Sequence, residues 1–202
     1  MSAKYECGKL VRFPKHNVHG LEFSGTEHER ADAPGLLLLI YLAVDQLAPL
    51  VNQHFPSLQL GRDVGHQLAV STGDGSGFPL HTDNTDPEES KHTNPEDRRK
   101  LSVLFYLNPN WRSENGGQIR LYPLGVTGEQ EEDDSQAKHF EPETGILLFW
   151  SDLIYHDTIP TQNTHPDHWR YTLTLWMMTD DPTEMHKVPA LSDTSQSVLS
   201  CY

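Results

Sequence analysis

Arg170-Tyr-Thr-Leu-Thr-Leu-Trp-Met-Met178 decides the fold, because its alternation is that of a strand with two unlike faces. Arg170, Thr172, Thr174 and Trp176 share one face, while Tyr171, Leu173, Leu175 and Met177 share the other. Working outward, residues 101–107 form a strongly apolar strand that ends at Asn108-Pro-Asn-Trp111. Residues 146–150 form another, opened by Thr144-Gly145. Gly116-Gly117 precedes 118–122, where Ile119 and Leu121 face inward. Residues 66–71 read as a short strand, 72–77 as a turn-rich connector, and 79–83 as an extended segment. One helix stands apart from these strands. It runs from Gly35 to about Phe55 behind Ala33-Pro34, with Leu36, Leu39, Ile40, Ala43, Leu47, Leu50 and Val51 near helical spacing. Leu37, Leu38 and Leu42 widen its apolar face, so a sheet is expected to cover it heavily. Many short strands, glycine turns and one N-terminal α-helix predict a mainly β jelly roll, whose mouth is a natural place for a metal.

Length and composition bound the function. At 202 residues the chain reads as a single domain over 1–202. Within it, 1–64 supplies helical support, 65–180 the catalytic β-core, and 181–202 a polar tail expected to be partly disordered. A net charge of −14 argues against nucleic-acid binding, which needs a basic surface. Cys7 and Cys201 make neither a disulfide framework nor a zinc pattern. The first residues lack the apolar core of a signal peptide, and the longest apolar run, 36–44, is too short to span a bilayer. The expectation is a soluble intracellular protein, cytoplasmic or nuclear, without a membrane partner. Two polar stretches, 84–99 and 128–137, read as loops, the first a candidate substrate rim and the second a mobile acidic segment. The oligomeric state leaves no trace in the sequence.

The chemistry rests on His81-Thr-Asp83, His156 and Arg170. Two imidazoles and one carboxylate can hold one face of a ferrous ion and leave positions open for reactants. An inward arginine can anchor a dicarboxylate through a two-pronged charge-assisted contact. The His-x-Asp pattern alone is weak, since twelve histidines among 202 residues make about one such match expected by chance. There are two, and His165-Pro-Asp167 lies in a proline-containing polar stretch with no strand and ligand after it, so it reads as loop. The first copy is followed in order by an apolar strand, the Gly-Gly strand, the strand leading to His156, and the arginine strand.

That ordered set resembles a known family. His81-Thr-Asp83, Arg99-Lys-Leu-Ser-Val-Leu-Phe-Tyr-Leu-Asn-Pro-Asn-Trp111, Gly116-Gly-Gln-Ile-Arg-Leu-Tyr-Pro123, Leu148-Phe-Trp-Ser-Asp152, His156 and Arg170-Tyr-Thr-Leu-Thr-Leu-Trp176 are similar to the prolyl 4-hydroxylase family of Fe(II)/2-oxoglutarate-dependent dioxygenases. Within that family they look most like the hypoxia-sensing prolyl hydroxylases and their microbial relatives. The resemblance implies a double-stranded β-helix with Fe(II) on His81, Asp83 and His156. It implies 2-oxoglutarate held by Arg170 with Tyr106 and Thr172, and Arg99 and Trp176 on the substrate side. O2 would be the second cosubstrate, ascorbate an accessory reductant, and a prolyl residue in a peptide or protein the target. Two departures stand out: Ser71 replaces a tyrosine of the hypoxia-sensing enzymes, and the loop between His156 and Arg170 is longer. Other readings stay open at this point: a hydroxylase of a free amino acid or small molecule, a catalytically silent metal-binding module, or a cupin-like enzyme with Mn or Zn.

Overall fold

The computed structural model describes residues 2–6, 9–13, 18–21, 34–73, 75–84, 97–126, 134–162 and 165–192. Its described strands are β1 (Ser2–Glu6), β2 (Lys9–Phe13), β3 (Val18–Leu21), β4 (Leu60–Ser71), β5 (Phe78–His81), β6 (Arg99–Tyr106), β7 (Ile119–Leu121), β8 (Lys138–Phe140), β9 (Gly145–Trp150), β10 (His156–Thr158) and β11 (Arg170–Thr179). β11 lies at the centre of a five-stranded antiparallel sheet ordered β3-β4-β11-β6-β9. A second sheet, ordered β5-β10-β7-β8, faces it, and β1 pairs with β2 as a separate hairpin. This is the jelly roll expected from the strand pattern.

Period-two alternation sorts the large sheet into two buried faces. Leu173, Leu175 and Met177 of β11 and Leu101, Val103 and Phe105 of β6 form the outer core under a helix, α1 (Pro34–His54). On the inner face, Leu104 and Tyr106 of β6 meet Ile119 and Phe149, with Leu121, Phe140, Leu147 and Ile154 around them. Each fully buried aliphatic side chain in these cores contributes about 1.5–3 kcal/mol relative to exposure. Both faces of β6 are therefore committed, one to the helix and one to the cavity between the sheets.

α1 seats Leu36, Leu39, Ile40, Leu47 and Val51 on the outer core. Pro49 has no N–H to give the carbonyl of Asp45, and its ring crowds that oxygen. The helix answers with a π-type stretch, Ala43–Leu47. The heavy cover expected for this helix is not found. Leu38, Tyr41, Leu42 and Leu50 are about half exposed, and among its residues only Ala43 and Ala48 are fully buried. The nine-residue apolar run also understated the element, whose 21 residues include an 18-residue window of mean hydropathy 1.7, long and apolar enough to cross a membrane by length and composition.

Two boundaries differ from the sequence reading. β4 begins at Leu60 rather than His66, because its backbone is laddered along β11 from Ser71 opposite Arg170 to Leu60 opposite Thr179. Pairing on a central strand overrides the weak strand preference of Gly61, Asp63 and Gly65. The segment after β11, expected as a polar tail, is built into the structure as far as residue 192. The His186 N–H and the Lys100 ammonium both reach Asp152 Oδ2, the ammonium also reaches the Lys187 carbonyl, and the Ser192 N–H donates to the His54 carbonyl. Residues 193–202, most of the 84–99 loop and 127–133 of the acidic loop lie outside the described residues.

Candidate active site

Strand pairing brings the two histidines together. His156 opens β10 and is the register partner of His81 at the end of β5, so two residues 75 positions apart stand side by side at the rim of the small sheet. Their rings lie 4.3 Å apart, flanked by Phe78 against His81 and Phe149 against His156. The Nδ1 of His81 lies 2.7 Å from the Pro79 carbonyl, and that of His156 lies 3.1 Å from the Ile154 carbonyl. A carbonyl only accepts, so Nδ1 donates in both rings, which leaves Nε2 to face Asp83. Both Nε2 atoms lie 3.8 Å from Asp83 Oδ1, and the donor atoms of the three residues are within 4.8 Å of one another.

Asp83 sits just beyond β5 and is held by side chains instead of a ladder. Its Oδ2 accepts from the Ser102 hydroxyl at 2.5 Å. The neighbouring Asn84, 2% exposed, donates its side-chain amide to the carbonyls of Asp97 and Arg99, which ties together the two ends of the 84–99 loop. Burial alone would push the Asp83 carboxyl up. The attraction of His156 and His81, the Ser102 hydrogen bond and Arg99 outweigh it and hold the carboxyl below the usual aspartate range. Asp83 is thus ionised at neutral pH.

Deeper between the sheets lie Arg170, Thr172 and Tyr106, respectively 7%, 3% and 3% exposed. Thr172 and Tyr106 are register partners, and the Arg170 guanidinium lies 5.1 Å from the centre of the Tyr106 ring. Arg170 Nη2 reaches the Tyr106 hydroxyl only at 3.5 Å, while Arg170 Nε and Thr172 Oγ1 are buried without a hydrogen-bond partner. Burial pushes the Tyr106 phenol up, with Arg170 opposing it. The phenol therefore keeps its proton and can donate. Ser102 and Tyr106 share the inner face of β6 four residues apart, about 13 Å along the strand.

Arg99 and Trp176 line the other end. The Arg99 guanidinium is forked onto Asp97 and lies 5.5 Å from the centre of the Trp176 ring, whose Nε1 is buried without a partner. Gly117, at φ +73°, passes close behind Arg170: a Cβ there would come within 3.0 Å of Arg170 Cδ and 2.9 Å of Thr161 Cγ2. The second His-x-Asp stands apart. His165 and Asp167 are largely exposed, the first capping and the second inside a short 3-10 turn (Pro166–His168), a loop setting as read from the sequence. Ser71 is buried and pairs in register with Arg170.

Residues 66–178, more than half of the chain, match the family model described as 2OG-Fe(II) oxygenase superfamily. The chain belongs to the 2OG-Fe(II) oxygenase superfamily. It is similar to human Egl nine homolog 1 (27% identical over 157 residues, covering 76% of this chain and 32% of that protein). It is also similar to the mouse protein named Prolyl hydroxylase EGLN3, 30% identical over 175 residues, covering 84% of this chain and 63% of that protein. The chain thus spans about one third to just under two thirds of the length of these curated relatives. Among solved structures it is similar to a prolyl hydroxylase of Trichoplax adhaerens in complex with a hypoxia inducible factor oxygen degradation domain peptide fragment. That structure matches with TM-score 0.60 and 25% identity over 89% of this chain and 70% of that chain.

The superfamily's cofactors are Fe(II), 2-oxoglutarate and O2, and this oxygenase domain has groups that fit them. A donor set of two imidazole nitrogens and one ionised carboxylate oxygen suits a ferrous ion. The orphaned polar atoms of Arg170 and Thr172 are what a bound carboxylate would satisfy. Sequence reasoning missed Ser102, Asn84 and the buried Lys100–Asp152 pair. Small polar residues and a lysine carry no periodicity signal, although Ser102 stands on a strand otherwise apolar between 101 and 107.

Proposed function

We propose that this chain is a 2-oxoglutarate-dependent dioxygenase that hydroxylates a prolyl residue in a peptide or protein, consuming O2 and 2-oxoglutarate and releasing succinate and CO2. One observation carries the oxygenase reading. A 7%-exposed arginine has an unpartnered Nε and no carboxylate within salt-bridge distance among the described residues, on the sheet opposite the one that carries His81 and His156 of a His-Asp-His cluster. A buried charge without a protein partner is expensive unless a ligand supplies one.

His81, Asp83 and His156 would hold the ferrous ion, each presenting one atom. When bound, iron with 2-oxoglutarate and O2 supplies the oxidation, one oxygen atom going to the substrate carbon and the other to succinate. Arg170 would hold the distal carboxylate of 2-oxoglutarate, with the Tyr106 phenol and Thr172 hydroxyl donating to it. The apolar walls of Leu104, Ile119 and Phe149 exclude water from that end. Arg99, fixed by Asp97 and stacked by Trp176, would face the substrate. The peptide reading is supported by the likeness to the Trichoplax adhaerens enzyme in complex with a peptide and to the curated prolyl hydroxylase.

The test is succinate formation from 2-oxoglutarate by anaerobically Fe(II)-loaded protein after air is admitted, with and without proline-containing peptides. The expected result is peptide-stimulated turnover, with one oxygen added to a proline by mass. Turnover without peptide stimulation would overturn the peptide substrate and favour a small molecule. No turnover in iron-loaded protein would overturn the oxygenase reading in favour of a silent barrel.

A further inference from the structure

We propose that Ser102 and Ser151 form a two-hydroxyl relay that would hold Asp83 as a one-oxygen metal ligand and so leave the remaining coordination positions open. The proposal rests on the reading of His81, Asp83 and His156 as a metal site, and it assigns roles to two residues that this reading leaves out.

The relay follows from proton counting. Ser102 Oγ lies 2.5 Å from Asp83 Oδ2 and 2.8 Å from Ser151 Oγ. An ionised carboxylate has no proton to give, so the single hydroxyl proton of Ser102 goes to Asp83. The contact between the serines must then run from Ser151 to Ser102. Each donor in such a chain polarises the next, which strengthens the terminal bond to the carboxylate.

The frame behind the relay is rigid. Ser102 and Ser151 are both fully buried. Ser102 sits mid-strand on β6, in register with Phe149 on one side and Trp176 on the other. Ser151 follows β9 directly; its N–H donates to the Lys100 carbonyl, and its carbonyl accepts from the Asn84 N–H. Asn84 is the residue after Asp83, so Ser151 grips the ligand segment through the backbone and the ligand carboxylate through Ser102.

The consequence concerns which oxygen faces the metal. Oδ1 is equidistant from the two imidazole nitrogens at 3.8 Å, while Oδ2 is turned away and occupied by Ser102. Without that hydroxyl both oxygens can swing onto one ion, and a two-oxygen aspartate fills a position that 2-oxoglutarate or O2 needs. The two histidines need no equivalent, because the β5–β10 ladder and their Nδ1–H bonds to Pro79 and Ile154 already fix them. Asp83 is the ligand off the ladder, and the relay replaces the ladder for it.

The test reads the metal site directly. Co(II) is loaded anaerobically into the full chain in place of Fe(II), its affinity is measured by competition with a chelator, and its visible spectrum is recorded with and without 2-oxoglutarate. Ser102→Ala should weaken Co(II) binding about tenfold or more, as loss of a partner behind a metal ligand does. It should also change the spectrum and raise the 2-oxoglutarate concentration needed for the cosubstrate-induced change. Ser102→Thr, which keeps the hydroxyl, should restore the parent spectrum. Ser151→Ala should act in the same direction with a smaller loss, and the double variant should bind no more weakly than Ser102→Ala, because Ser151 acts only through Ser102. Should Ser102→Ala fail to fold, Ser151→Ala and Ser102→Thr still decide the matter. Parent-like affinity and spectrum in Ser102→Ala, or independent addition of the two serine effects, would overturn the relay. Asp83→Ala separates the two claims: unchanged Co(II) binding there would overturn the metal-site reading itself, whereas lost binding alongside a parent-like Ser102→Ala would overturn the relay alone.

Discussion

Lys100 and Arg170 are the buried lysine and arginine among the described residues, and they are buried in opposite ways. The Lys100 ammonium, fully inaccessible, is 2.8 Å from Asp152 Oδ2 and 2.8 Å from the Lys187 carbonyl. Asp152 Oδ2 also takes the His186 N–H at 2.6 Å. Arg170 has a single 3.5 Å contact with the Tyr106 hydroxyl and an unpartnered Nε. One cation is completed by the protein and closes a structural knot between β6, the turn after β9 and the segment after β11. The other keeps an unpartnered Nε among the described residues, which the proposed 2-oxoglutarate carboxylate would face. Burial alone does not distinguish a structural charge from a receptor; the inventory of partners does.

The largest effect expected from this contrast is on stability. Lys100→Ala leaves Asp152 buried and unpaired, and should lower the unfolding free energy by about 3–5 kcal/mol. Denaturant unfolding measures it, and a loss well below that range would show that Asp152 finds another partner. Leu175→Ala, fully buried on the outer face of β11, should lose about 2–5 kcal/mol by cavity formation while leaving 2-oxoglutarate affinity of the folded protein unchanged. Weakened cosubstrate binding there would mean that the two faces of β11 are coupled. On the inner face, Thr172→Val removes an unpartnered buried hydroxyl without changing the shape. Unfolding stability should hold or rise by about 1 kcal/mol, while 2-oxoglutarate binding falls by roughly one hydrogen bond's worth, a factor of about 5–10. Asp167→Ala should do least, within about 0.5 kcal/mol in stability and with metal binding intact, since its side chain is 84% exposed.

The same contrast explains what could be read from the sequence. The inner face of β11 was legible because strand alternation is strict: an arginine and a threonine in phase with Trp176 had to share its face. The histidine pair was legible from order along the chain, although their register partnership across β5 and β10 was not. Lys100 was invisible because a lysine at a strand end reads as solvent-facing, and its partners lie 52 and 87 residues away in segments without pattern. For the same reason the segment after Thr179 read as a polar tail, since nothing in Asp, Pro and Thr residues announces a carbonyl that caps a buried ammonium. β4 was read six residues short because glycine and aspartate hide a strand that its neighbours enforce. Sequence periodicity reports faces and core, whereas long-range polar closure leaves no local trace.

The most direct test of the account is the 2-oxoglutarate-induced rise in melting temperature of anaerobic, metal-loaded protein, compared between the parent chain and Arg170→Met. The parent should gain stability from the metal and gain again from 2-oxoglutarate. Arg170→Met should melt at or above the ligand-free parent, because its buried charge is gone, and should keep the metal-induced gain but lose most of the 2-oxoglutarate gain. An equal 2-oxoglutarate gain in both proteins would contradict the assignment of Arg170, and no gain in either would contradict the cosubstrate site altogether.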